Sequence, residues 1–226
     1  MFTESAVAAG AVSMAPPGAS QPQPEPVTPV IDYTEGLADV DDTRYPLAAR
    51  SVAVKAGSDW KYDEEKKLNT DAKKFYIVVD VVNQVTTIYE KGKSGNYDAA
   101  VRQMICSTGA KKTQTPLGTF SMGSTRKRFG YFTKFKCYAQ YWTHVGGGIY
   151  FHSITYSRRN ERYPIKTAIA NLGKAVSHGC IRLTPDDAHW MYLYIPAKTK
   201  ILITDNIPRN KELTKLLLAK AKRAIT

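Results

Sequence analysis

Residues 75–90, FYIVVDVVNQVTTIYE, decide the fold class. β-Branched and aromatic side chains dominate both halves, Phe75 to Val82 and Val85 to Glu90, and such residues suit a pleated, packed surface better than a helix. The halves flank Asn83-Gln84, so the stretch is predicted as a two-stranded hairpin. Similar short runs recur downstream: AVRQMICS (100–107), GTFSMG (118–123), YAQYW (138–142), GIYFHSI (148–154) and KILITD (200–205). Gly, Pro or clusters of basic residues separate them. The predicted architecture is therefore mostly β with a few short helices.

Two helices carry their own signals. Thr184-Pro185-Asp186-Asp187 supplies a hydroxyl cap, a proline at the first helical position and acids at the positive end of the dipole, predicting a helix through AHWMYLY (188–194). Within the C-terminal segment 206–226, residues 210–225 place Leu213, Leu216, Leu217, Ala221 and Ala224 on one stripe beside several lysines. Such a basic amphipathic helix can lie on a membrane; packing against its own domain is the expectation.

Upstream the chain changes character. Six of the twelve prolines fall between Pro16 and Pro29, a composition that buries little apolar surface, so residues 1–45 are expected to form a disordered proline-rich tether. Residues 46–74 are a charged lead-in, with DEEKK (63–67) on a solvated helix or turn. Residues 75–205 then make the main domain, a size that supports a sizeable core.

Of 226 residues, 43% are hydrophobic and 11% aromatic, and no run is long and apolar enough to suggest a membrane span. The N-terminus shows no basic start or apolar stretch of a secretory leader, since Gly10 and Ser13 interrupt the small-residue run from Ala6 to Met14. An exported protein would carry its signal or anchor outside this sequence. Residues 1–45 hold seven acids and Arg44 alone, leaving 31 of the 32 basic and 13 of the 20 acidic residues for the rest. A basic domain attracts polyanions of any kind. No helix-turn-helix, zinc-finger or RNP pattern accompanies the charge, which argues against nucleic acid as the partner. Cys106, Cys137 and Cys180 are an odd set without metal-like spacing, so at least one thiol is free within the chain. Cys106 and Cys137 are expected to be buried small apolar residues.

The chemistry concentrates in Ser177-His178-Gly179-Cys180-Ile181-Arg182. A cysteine attacks as its thiolate, and His178 and Arg182 lie within two residues of Cys180 to favour that form. Gly179 permits a tight backbone whose N–H groups can converge on an oxyanion. A thiol also needs a base. His152, alternating with Tyr150 near a strand end, is the first candidate; His178 is better placed to shape the loop, His144 precedes a run of glycines, and His189 falls inside the aromatic helix. Residues 99–185 contain fourteen Lys or Arg and only Glu161 as an acid. A backbone carbonyl, nearest that of Ser153, is thus the expected orienting group for His152 unless Glu161 or a distant carboxylate reaches it. A zinc site from His144, His152, His178 and Cys180 matches no common spacing and ranks low.

SHGCIR, preceded by His152-Ser153 and by Thr115-Pro116-Leu117-Gly118-Thr119-Phe120, resembles the L,D-transpeptidase (YkuD) catalytic domain, over about Phe75 to Asp205. The resemblance implies a β-sandwich-like fold with Cys180 as nucleophile and His152 as general base. It implies that the Ser153 carbonyl orients the imidazole, that backbone around Gly179 and Cys180 forms the oxyanion hole, and that Ser177, His178 and Arg182 complete the pocket. It further implies attack on a peptidoglycan tetrapeptide stem, loss of the terminal D-alanine, a thioester intermediate and transfer to an amine of a second stem, linking two third-position residues. No metal or organic cofactor is implied, carbapenem-type compounds are the expected inhibitors, and the location is extracytoplasmic, at the cell wall or surface. Anionic cell-wall polymers are a further expected partner, and the chain is expected to act as a monomer.

His152 and Cys180 stand 28 positions apart, more than in many family members, with a basic insert around Arg158 to Tyr163 read as a lid, a groove wall or a solvated loop. The spacing leaves His144 and His178 open as alternative bases. Tyr150, Tyr156 and Trp142 are candidates for the substrate groove. Two rival readings are an L,D-carboxypeptidase, with water as acceptor, and a non-catalytic wall-binding module using the basic face.

Overall fold

The computed structural model describes residues 69–225 together with Val40 and Tyr45; the proline-rich tract and DEEKK lie outside the described residues. The chain opens with β1 (Phe75–Asp80) and β2 (Val85–Lys91), paired antiparallel as the hairpin predicted from 75–90. Asp80 organises the turn, its carboxylate accepting from the backbone N–H of Val82 and Asn83 and from the Asn83 amide, while Gln84 takes φ +58°. Then come β3 (Tyr97–Ile105), β4 (Gly118–Ser121), β5 (Arg126–Phe132), a single 3₁₀ turn (Thr133–Phe135) and β6 (Cys137–Gly146). β7 (Ile149–Ser153), β8 (Thr155–Tyr156), α1 (Lys166–Ala170), β9 (Ile181–Leu183), α2 (Pro185–Tyr194), β10 (Lys200–Thr204) and α3 (Lys211–Ile225) complete it.

The strands form two sheets, β3-β2-β1-β10-β4 and β5-β6-β7-β9, with β8 paired to β6. Alternation along each strand sends one face inward. Phe75, Ile77, Val79 and Ile201 from the first sheet share a core with Phe151, Ile181 and Leu183 from the second and with Trp190 and Met191 of α2. The fold is mostly β, two mixed sheets around a common core, as expected. α2 starts as its sequence requires: Thr184 Oγ1 accepts from Asp187 N at 3.1 Å, with Pro185 at the first helical position.

α3 packs on the domain. Leu213, Leu217 and Ala221 bury against Ile105, Ile154 and Leu172 in a second core, whereas Leu216 and Ala224 of the expected stripe face solvent. Asn83 ties the β1–β2 turn to the start of α3, its Oδ1 accepting from Asn210 N at 2.7 Å and its carbonyl from the Thr214 hydroxyl. Among the described residues no helix is long and apolar enough to cross a membrane. Tyr45, placed at the end of the tether by the sequence reading, packs edge-on against Phe75, Trp190 and Tyr194, and its carbonyl accepts from the Trp190 indole at 3.0 Å. The folded unit therefore includes it.

β7 and β9 are parallel neighbours. Parallel strands cannot be joined by a tight turn, and their connection must cross over the sheet. Residues 154–180 make that crossing, which accounts for the long separation of His152 from Cys180. Ala168 and Leu172 bury in the second core, and Gly173 N donates to the Cys106 carbonyl at 3.1 Å. Residues 157–163 form an exposed turn, where Arg158 lies over the Tyr163 ring.

Candidate active site

The parallel register sets His152 beside Arg182, so with two-residue alternation Cys180 and Arg182 share the His152 face of the second sheet. A cavity of about 320 Å³ opens there, lined by Thr113, Phe132, Lys134, Phe135, Cys137, Gly148, His152, Thr155, Ser177, His178, Cys180 and Arg182.

The loop before β9 is held from below. Thr115 Oγ1 accepts from Gly109 N at 2.9 Å and donates to the Gly179 carbonyl at 2.8 Å, so the TPLGTF segment clamps the nucleophile loop. Thr113 Oγ1 donates to the Ser177 carbonyl at 2.9 Å. Ser177 Oγ donates to the Cys180 carbonyl at 2.6 Å and accepts from Gly179 N at 3.1 Å. Gly179 has φ +113°, where side chains are strained, and a Cβ there would lie 2.9 Å from Ile149 Cδ1. The positive φ is what calls for glycine, since the Ile149 methyl lies at the end of a flexible side chain. The Gly179 N–H is already engaged by Ser177, so the oxyanion hole expected around Gly179 and Cys180 does not have that donor free in this arrangement.

His152 is buried, and its Nδ1 lies 2.6 Å from the Ser153 carbonyl. A carbonyl only accepts, so Nδ1 carries the proton and Nε2 keeps its lone pair. Burial depresses the imidazole's pKa to about 3; Arg182 pushes the same way, and the Ser153 carbonyl opposes. The ring is neutral at physiological pH. Ser153 also fixes the neighbouring strand, its Oγ accepting from Gln140 N and donating to the Ile154 carbonyl, both at 2.8 Å.

Cys180 is half-buried, and burial raises its thiol pKa, opposed by the Tyr150 backbone N–H and by Arg182. At neutral pH the cavity thus holds a thiol and a neutral imidazole rather than an ion pair. Neighbouring cations were expected to lower this pKa; desolvation outweighs them. Such a pair can act when the proton passes to Nε2 as sulfur attacks. Burial also lowers the Arg182 pKa, against the attraction of Cys137 and Cys180.

His178 lines the cavity with its ring 4.3 Å from that of Phe135. His144 does not line it; the ring packs against Gly123 and lies 4.9 Å from Tyr150. The four-residue zinc set is therefore not assembled, and among the described residues no cluster of three or more His, Cys, Asp or Glu could hold a metal ion. His189 stacks on Tyr141 at 4.2 Å. All three cysteines are free, with Cys106 and Cys137 buried.

Tyr150, Tyr156 and Trp142, the candidate groove aromatics, are absent from the lining of this cavity. Tyr156 is 2% exposed inside the second core, where the β8 register turns it away from the cavity. Trp142 is buried beside His152, stacked on Phe132 at 4.2 Å, with its indole donating to the Ala139 carbonyl. Tyr150 directs its ring to Trp142 and His144 and reaches the sulfur only through its backbone. The aromatic wall comes instead from Phe132 and Phe135 at the β5–β6 tip, which sequence reading passed over as part of a basic spacer. The alternation in FGYFTKF (129–135) was the available signal.

With fold and geometry in view, the comparisons are specific. The model of the YkuD L,D-transpeptidase catalytic domain matches residues 74–203. A curated relative from Bacillus subtilis (strain 168), provisionally named L,D-transpeptidase YciB, is 33% identical over 139 residues, covering 59% of this chain and 69% of the relative. Similar solved structures include an L,D-transpeptidase from Mycobacterium smegmatis, at 23% identity, TM-score 0.46 and 58% of each chain. Another is L,D-transpeptidase 3 from Mycobacterium tuberculosis in complex with a faropenem-derived adduct, at 19% identity, TM-score 0.43, 58% of this chain and 60% of that one. The chain spans less than two thirds of these solved chains. It belongs to the L,D-transpeptidase catalytic-domain family.

Proposed function

We propose that the protein is a peptidoglycan L,D-transpeptidase that joins third-position stem residues through a thioester on Cys180. The observation that carries this reading is the shared cavity of Cys180 and a neutral His152 whose Nδ1 is tied to the Ser153 carbonyl. Nε2 takes the thiol proton as sulfur attacks the donor carbonyl, then gives it to the leaving amine. An acceptor amine from a second stem reverses the sequence and releases the cross-linked product. Backbone N–H groups at the Gly179–Cys180 turn receive the oxyanion, the Gly179 N–H after release from Ser177 Oγ. Ser177 and His178 shape the loop, and Arg182 supplies positive charge beside the sulfur. This work takes place outside the cytoplasmic membrane, where peptidoglycan lies, and the basic domain favours approach to anionic wall polymers.

Incubating the protein with disaccharide-tetrapeptide and separating the products by mass tests the proposal. Cross-linked dimers that disappear with Cys180→Ala are the expected outcome. Tripeptide without dimer assigns the same site to hydrolysis, and no turnover with retained wall binding favours a binding module.

A further inference from the structure

We infer that Lys134, at the tip of the β5–β6 hairpin, recognises the free α-carboxylate of the residue expelled from the donor peptide. The inference rests on the acyl-transfer reading of the same cavity and names a specificity-determining residue for it. Its first support is charge. The lining residues include Lys134 and Arg182 but no acid. Glu161 sits in the exposed 157–163 turn, none of which lines the cavity, and Asp186 and Asp187, four and five residues after Arg182, are outside the lining as well.

The two cations differ in position. Arg182 belongs to the floor, its charge felt by both Cys137 and Cys180, and its buried Nε has no hydrogen-bond partner among the described residues. Lys134 belongs to the rim: it is exposed and forms no ion pair among the described residues. Its base is nonetheless fixed over the opening. Thr133–Phe135 form a single 3₁₀ turn closed by Lys136 at φ +48°. On either side of Lys134, Phe132 packs 5.1 Å from the His152 ring and Phe135 4.3 Å from the His178 ring. The Lys134 ammonium, 5.8 Å from the Phe135 ring centroid, lines the same cavity as the sulfur.

The reaction itself demands a cation there. The Cys180 Sγ–carbon bond forms, the carbon–nitrogen bond of the terminal residue breaks, and the thiol proton passes through His152 Nε2 to the leaving nitrogen. That nitrogen is separated from its own carboxylate carbon only by Cα. A negative group therefore enters a partly dry cavity close to the scissile bond, and burying it without a partner is costly. Lys134 supplies the partner, so a donor ending one residue beyond the scissile bond is preferred to one whose carboxylate is missing or displaced.

The test compares two tetrapeptide donors that differ only in ending as a carboxylate or a carboxamide, with kcat/KM for amine transfer read by chromatography. The native protein prefers the acid by about tenfold or more, as a charge-assisted hydrogen bond allows. Lys134→Gln brings the ratio near one, and Lys134→Arg restores it. Lys136→Gln, which removes a charge from the same tip outside the cavity lining, keeps the native ratio. Added salt lowers the native preference. A native ratio in Lys134→Gln, with both donors processed, overturns the assignment alone. Failure of the native protein to process either donor overturns the acyl-transfer reading and the assignment with it.

Discussion

Cys106 and Cys180 occupy mirrored positions in the two sheets, one just after β3 and the other just before β9, yet their surroundings oppose each other. Cys106 is sealed in the first core, its N–H donating to the Gln84 carbonyl, and burial pushes its thiol up to about 12. Cys180 is also raised by burial, but it opens on a cavity and has the Tyr150 N–H and Arg182 to offset that cost and His152 in the same lining. Residue type is identical, so environment alone separates an inert thiol from a usable one.

The sharpest way to break that contrast is to exchange the consequences. Cys180→Ala is expected to lower turnover by about 10⁴-fold or more while leaving the melting temperature near native. Cys106→Ala is expected to leave turnover intact and lower stability by about 1 kcal/mol in chemical denaturation. Iodoacetamide, followed by peptide mapping, should label Cys180 and spare Cys106. Preferential labelling of Cys106 would contradict the comparison.

His152→Gln sharpens it next, with a loss of about 10²–10⁴-fold in kcat/KM. Because the native imidazole titrates near pH 3, the acid limb of the kcat/KM profile lies well below the ordinary histidine value of 6.5. A profile unchanged by His152→Gln would point to another base, such as His178. Stability carries the same signature. Between pH 6.5 and 3 the unfolded chain binds a proton that folded His152 refuses, so native stability falls as pH drops through that window. Denaturation across this range should show a shallower slope for His152→Gln.

Smaller effects test the support of the site. Gly179→Ala meets both the positive φ and the Ile149 methyl, and a loss of about 1–3 kcal/mol in stability is expected with a larger fall in turnover. Ser153→Ala leaves the buried Gln140 N–H without its acceptor and costs about 1–3 kcal/mol, read by thermal denaturation.

What could be read in the sequence was local. The β1–β2 hairpin follows from β-branched runs around a turn, and α2 from Thr184 and Pro185, because neighbouring residues carry both signals. The β5 strand was missed because RKRFGYF (126–132) reads as a basic spacer. In the fold its cations are covered by distant partners: Arg128 lies 4.0 Å over the Tyr141 ring, and Arg126 donates to the Ile195 carbonyl at the end of α2. The SHGCIR loop and His152 were legible as a motif. The Phe132–Phe135 roof and the approach of Cys137 depend on a hairpin curling over another strand, which no short pattern records.

The most direct test of the paired thiol and imidazole is intact-mass and peptide mapping after brief exposure to a carbapenem at neutral pH. One adduct on the peptide containing Cys180, absent in Cys180→Ala and much slower to form in His152→Gln, is the expected result. An adduct on Cys137 or Cys106 with Cys180 unmodified, or equal rates with and without His152, would contradict it.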